Sequence, residues 1–165
     1  MYLSLYCNKA VQEKQERISK AVRRIGKVCL NYNVRGVSRI LNQRYDSYLS
    51  KCGLTSVQFS ILSSIISYDA ISINDLALML SMDRTTLSRN LKAIEEKGYV
   101  CEVTDRDRRS RKLKITDAGL IAVEQAIPLW KKAQHEAMML AGPFNYVPLL
   151  TYLKKFIHNS RKKLA

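Results

Sequence analysis

The chain has 165 residues, 47% of them apolar, so it can hold one domain with a core and extensions. Lys and Arg number 28 against 14 Asp and Glu, a net charge of +14 that points to a polyanion, nucleic acid before anionic membrane. No apolar run reaches the roughly 18 residues of a membrane span. The start MYLSLYCNKA lacks the basic flank and apolar length of a signal peptide, so a cytoplasmic protein with no membrane partner is expected.

Few Gly and Pro residues punctuate the chain, and most of it reads as helix. Residues 8–27, NKAVQEKQERISKAVRRIGK, place Val11, Ile18, Val22 and Ile25 at helical spacing among many charges, a basic amphipathic helix. A second helix is expected over 33–49, with Val34, Val37, Ile40, Leu41, Tyr45 and Tyr48 on one face, closed by Gly53. Thr55 and Gln58 have the spacing of a capping box and open an apolar helix to about residue 67. Ser72 and Asp75 repeat that start for a short helix ending near Leu80, with Leu76, Ala77 and Leu80 inward. A turn at Ser81, Met82 and Asp83 follows, and Asp83 caps a helix over 84–97.

The period then changes. Val100 and Val103, then Leu113 and Ile115, flank the polar loop TDRDRRSRK, and Lys112 and Lys114 alternate with Leu113 and Ile115 as in a strand with one wet face. A two-stranded hairpin is expected. Thr116 and Asp117 open a long helix to about Ala141, Gly142 and Pro143 break it, and a last helix covers about 146–162.

Two short helices joined by a tight turn and followed by a basic hairpin define a mainly α fold, a winged helix-turn-helix. In the helix over 84–97, Leu87, Leu91 and Ile94 share the inward face. The outward side then carries Arg84, Thr85, Ser88, Arg89 and Lys92, with Thr86 and Asn90 at its edges. A solvated face would favour long helix formers. Short hydroxyls permit close approach to base edges in the major groove, Arg can bridge guanine O6 and N7, and Asn can pair with adenine. In the loop, Arg106, Arg108, Arg109, Arg111, Lys112 and Lys114 face only Asp105 and Asp107. Such a wing can straddle phosphates or enter a narrow minor groove.

These stretches resemble the MarR family of winged-helix regulators. The carrying segments are NVRGVSRILNQRYDSYL, GLTSVQFSIL, SINDLALMLSMDRTTLSRNLKAIEEKGYV, DRDRRSRKLKIT and DAGLIAVEQAIPLW, spanning residues 29–142. The resemblance implies a homodimeric DNA-binding repressor or activator, with residues 84–90 in the major groove and 106–111 as wing. It also implies an effector pocket between dimerisation helices and winged domain, for which Arg39, Tyr45, Tyr68 and Trp130 are candidates. Some relatives sense oxidants through a cysteine, here Cys29, where Arg24 and Lys27 could favour a thiolate. The segment before Cys29 is longer and more basic than the family carries.

Dimerisation has its own argument. A helix-turn-helix core of about 60 residues is near the lower limit of self-sufficient domains. The faces bearing Val37, Ile40 and Leu41, and Leu149, Leu150, Leu153, Phe156 and Ile157, have little left in the chain to cover them. A twofold dimer is expected, presenting two recognition helices to an inverted repeat about one DNA turn apart. The expected organisation is a basic extension over 1–28, a dimerisation helix over 29–53, the winged domain over 54–116 and C-terminal dimerisation helices over 117–165.

Alternatives are a basic architectural DNA binder without sequence preference, a membrane-surface protein using the basic terminal helices, and an enzyme. No Ser-His-Asp set, phosphate-binding glycine loop or metal cluster supports the last. Cys7, Cys29, Cys52 and Cys101 form no C-x-x-C pair and lie apart from His135 and His158, so reduced thiols, no metal and no cofactor are expected.

Overall fold

The computed structural model describes residues 9–104 and 111–162. In chain order they form α1 (Lys9–Val28), α2 (Leu30–Leu49), a 3-10 turn (Ser50–Cys52), α3 (Ser56–Ile66), β1 (Ile71–Ser72), α4 (Ile73–Leu80), α5 (Arg84–Glu96), β2 (Val100–Thr104), β3 (Arg111–Ile115), α6 (Asp117–Ala141) and α7 (Pro143–Lys162). The chain divides into two compact units, Met1–Leu41 and Asn42–Ala165.

The first unit holds α1 and the first part of α2. Only Cys29 interrupts them, and helical bonding nearly bridges it: Cys29 N–H donates to Ile25 O (2.8 Å) and Asn33 N–H to Cys29 O (3.2 Å). The Asn33 side chain donates to Gly26 O (3.2 Å) and Cys29 O (2.8 Å). The second helix therefore starts three residues before the expected Asn33. Asn33 thus lies inside the helix and its amide serves interior carbonyls. Val11, Ile18, Val22 and Ile25 are exposed along α1.

The second unit is built around α3. Thr55 accepts from Gln58 N–H (3.2 Å) while Thr55 N–H donates to Gln58 Oε1 (3.2 Å), so both halves of the expected capping box are present. Ile61, Leu62 and Ile65 are fully buried and meet Leu49, Leu54, Leu76, Leu87, Ile94 and Leu113 in one core. Helix α6 packs on α3, and its Val123 and Ala126 join the same core. Helix α7 begins at Pro143, earlier than the expected 146, because proline suits the first helical position, where an N–H has no partner anyway.

The hairpin gains a strand that the sequence did not predict. The sheet is three-stranded and antiparallel, ordered β1-β3-β2, with Ile71 opposite Leu113 and Ser72 opposite Lys112. Two residues are too short to show a period. What fixes them is tertiary: Ile71 and Leu113 are both buried. Strands β2 and β3 pair from Val100 opposite Ile115 to Thr104 opposite Arg111, which makes the expected hairpin. No single helix among the described residues is long and apolar enough to cross a membrane.

Candidate nucleic-acid interface

Helix α4, the turn at Ser81–Asp83 and α5 form the expected helix-turn-helix. Leu87 and Ile94 are fully buried and Leu91 nearly so. Burying that stripe turns the opposite side outward: Arg84, Thr85, Thr86, Ser88, Arg89 and Lys92 are exposed, and Asn90 is half-buried. The sequence expectation for these positions is thus met in exposure.

Two of these side chains are already engaged. Thr86 N–H donates to Asp83 Oδ1 (2.8 Å) and the Thr86 hydroxyl donates to Oδ2 (2.7 Å). The Asn90 amide donates to Thr86 O (2.8 Å). Helix α5 is thereby fixed at its first turn, and Arg84, Thr85, Ser88 and Arg89 are left as the projecting groups at the same end. Further along, Lys92 approaches Glu96 at 4.0 Å, an exposed pair of little energetic weight.

The Thr86 hydroxyl and amide hold the Asp83 carboxyl below the usual aspartate range. The folded state binds that proton less tightly than the unfolded chain. The cap's contribution is therefore complete above the ordinary pKa of about 3.9 and is lost as pH falls through the lower folded value. Asp83→Ala is expected to speed hydrogen exchange at the Thr86 amide, and Asp83→Ser to restore most of the protection. The stability gap between wild type and Asp83→Ala should be full near pH 6 and shrink as pH falls below about 3.9. A pH-independent gap would mean that the carboxylate charge is irrelevant to the cap.

The turn itself is unusual. At the end of α4, Met82 N–H donates to Ala77 O (2.9 Å) and Ser81 N–H to Leu78 O (3.2 Å). At the end of α5, Tyr99 N–H donates to Ile94 O (3.1 Å) and Gly98 N–H to Glu95 O (2.8 Å). Both are Schellman closures, which need one left-handed residue. In α5 it is Gly98 (φ 68°); in α4 it is Ser81 (φ 52°), the one non-glycine with positive φ among the described residues. A side chain in that conformation costs about 1–2 kcal/mol.

The wing's base is braced from the loop between α3 and β1. Lys114 Nζ lies 2.7 Å from Asp69 Oδ1, which lowers the Asp69 pKa and raises that of Lys114. Lys114, counted with the loop charges in the sequence, is thus neutralised within the chain. Lys112 sits in β3 opposite Val103, and Arg111 opens that strand. Arg106, Arg108 and Arg109 lie outside the described residues.

Of the four candidate effector residues, Tyr45 and Trp130 both adjoin Gln134. Trp130 stacks on Phe59 at 6.3 Å between ring centroids and lines a cleft of about 390 Å³ with Gln134 and Tyr146. Tyr45 reaches Gln134 by a 2.5 Å hydrogen bond, and Gln134 in turn donates to the Tyr146 hydroxyl. Burial, with Tyr146 nearby, raises the Tyr45 pKa. Tyr68 is half-exposed just after α3, and Arg39 is an exposed residue of the first unit.

Of the expected dimerisation residues, Val37 and Ile40 are each 53% exposed in the first unit, and Leu41 is half-buried. In the second unit Leu149 and Leu153 are exposed on α7, and Leu150 is half-buried. Phe156 and Ile157 form one wall of a cleft of about 610 Å³ whose other wall is Ala77, Leu78 and Met82 of the helix-turn-helix. Cys29 is half-buried at the junction of α1 and α2, Cys52 is half-buried, and Cys101 is exposed on β2. No cluster of potential metal ligands occurs among the described residues.

This arrangement defines a winged helix-turn-helix protein, and the comparisons with known proteins agree. Residues 53–110 match the model of the MarR family. The chain is 31% identical over 118 residues to the multiple antibiotic resistance protein MarR of Escherichia coli, an alignment covering 71% of this chain and 79% of that one. The chain belongs to the MarR family. Uncharacterised HTH-type transcriptional regulators of Bacillus cereus and Bacillus anthracis are 30% identical over 87 residues, and the alignment spans only 58% of their length. Among solved structures, the Mycobacterium tuberculosis regulator MosR in complex with DNA has a TM-score of 0.72 at 30% identity, over 81% of this chain and 97% of that one. A mutant Escherichia coli MarR with operator DNA also reaches 0.72, at 26% identity over 80% and 96%.

Proposed function

We propose that this chain is a transcriptional regulator that binds an inverted-repeat operator in double-stranded DNA as a homodimer, acting as a repressor in the cytoplasm. The carrying observation is the exposed N-terminal end of α5, where Thr85, Ser88 and Arg89 project from a helix pinned by Asp83 and by its buried Leu87, Leu91 and Ile94. Short polar groups at the first turns suit a helix that enters the major groove end-on. Two neighbours of the same fold were solved with DNA, which supports the reading. The net charge of +14 supplies the sequence-independent attraction to phosphate. The unpartnered apolar positions on α7 support a dimer.

The test is selection of bound sequences from random duplex DNA with the purified protein. A recovered inverted repeat supports the reading. Equal retention of all sequences would leave a non-specific architectural binder, the reading that charge alone favours. On a recovered site, Arg89→Ala is expected to cost about 1–3 kcal/mol and relax preference at one base pair. An equal loss on every duplex would make Arg89 a phosphate contact instead.

A further inference from the structure

Arg161 lies in the last turn of α7, eighty residues from the helix-turn-helix turn in sequence, and it reaches that turn in space. Its Nη2 donates to Met79 O (2.7 Å) and to the Ser81 hydroxyl (3.1 Å). The Schellman closure of α4 uses the carbonyls of Ala77 and Leu78. Met79 O is the next carbonyl at that helix end, and a helix C-terminus leaves such groups without intrahelical donors. The negative end of α4's dipole favours a cation there. Ser81, meanwhile, holds a conformation that suits glycine better. A glycine would relieve the strain but would offer Arg161 no hydroxyl.

We propose that Arg161 is a positioning residue: it clamps the turn between α4 and α5 and so couples the end of α7 to the presentation of the recognition helix. It touches no base. It fixes where α5 begins, two residues beyond Ser81 at the Asp83 cap. Because α7 also carries the exposed Leu149 and Leu153, a change in that helix's placement is transmitted to the reading head through one guanidinium. The inference rests on the DNA-binding reading for its consequence, and on the free protein for the clamp itself.

The test uses the full chain with Arg161→Gln, Arg161→Lys and Ser81→Gly. In the free protein, Arg161→Gln should raise hydrogen exchange at the Ser81 and Met82 amides by about tenfold, the worth of one charge-assisted hydrogen bond, with α3 amides unchanged. Arg161→Lys should recover part of that protection, since an ammonium can reach one of the two acceptors. Ser81→Gly removes one acceptor and makes Arg161→Gln less damaging at that site. On a preferred duplex, Arg161→Gln should weaken binding about tenfold or more while affinity for unrelated duplexes and the salt dependence stay at wild-type values. Unchanged exchange at Ser81 and Met82 overturns the clamp. A loss shared by all duplexes, with the salt slope reduced by about one ion, also overturns it, since Arg161 would then be a phosphate contact. Wild-type protein that prefers no duplex would sink the DNA reading instead, and the exchange measurement would still decide the clamp.

Discussion

Gly119→Ala is expected to destabilise the chain by about 2 kcal/mol and lower its melting temperature by roughly 4–8 °C. Gly119 is buried in the first turn of α6, where Thr116 is the N-cap and accepts from the Gly119 N–H at 3.1 Å. A Cβ there would stand 2.2 Å from Tyr99 O and 2.6 Å from Ile115 Cδ1. The isoleucine can turn away. The carbonyl cannot, because Tyr99 O accepts from Thr116 N–H (3.1 Å) and the Thr116 hydroxyl donates to Gly98 O (2.7 Å). The segment joining α5 to β2 is thus tied to the start of α6. Against the clash stands alanine's better helix propensity, worth at most about 1 kcal/mol. Overpacking of about 1–3 kcal/mol or more against an immovable backbone outweighs it. Thermal and urea denaturation check the result. A melting temperature equal to or above wild type would show that α6 can slide from the sheet at little cost.

The parts of the fold legible in the sequence are those where local chemistry and global packing ask for the same residues. Thr55 with Gln58, and Asp83 before a Leu87–Leu91–Ile94 stripe, specify helix starts through side chains three residues away. The alternation around Leu113 specifies a strand because one face is buried and the other wet. The exposed positions on α5 follow from the buried ones by geometry alone.

What stayed hidden depends on partners distant in sequence. Ile71–Ser72 becomes a strand because β3 lies beside it. Lys114 reads as a loop charge until Asp69, 45 residues earlier, is found against it. The Thr86 hydroxyl reads as a base-reading group, yet in the folded chain it donates to Asp83. Ser81 hides in another way. A left-handed closure is ordinarily signalled by glycine, as Gly98 signals the end of α5, and a serine there carries no such mark. The donor reaching that serine, Arg161, sits in a basic terminal helix whose charges suggest only a membrane surface. The start of α2 reads three residues late, since the Asn33 amide serves the carbonyls of Gly26 and Cys29 from inside the helix.

Leu149→Asp combined with Leu153→Asp is expected to convert the proposed dimer to a monomer and weaken its hold on an inverted repeat by about a hundredfold to ten-thousandfold. The two side chains lie four residues apart on one face of α7, and both are exposed in the single chain. Contact with a second copy would bury them. An aspartate at each position would then carry a charge into an apolar interface with no partner, which costs more than such an interface can absorb. Phe156 and Ile157 are less suitable targets, because they also wall the cleft against Leu78 and Met82, and changes there would disturb the helix-turn-helix directly. The large effect on DNA follows from valency. A dimer seats its second recognition helix at a high effective concentration once the first is bound, and a monomer loses that advantage without losing any contact of its own. Affinity for an isolated half-site should therefore change little, which separates broken dimerisation from damage to the reading head. Sedimentation velocity at micromolar concentration gives the assembly state, and titration of whole and half operators gives the affinities. A variant that still sediments as a dimer would move the interface off this face of α7. A wild-type chain that is monomeric yet binds the inverted repeat tightly would remove the dimer from the proposed function altogether.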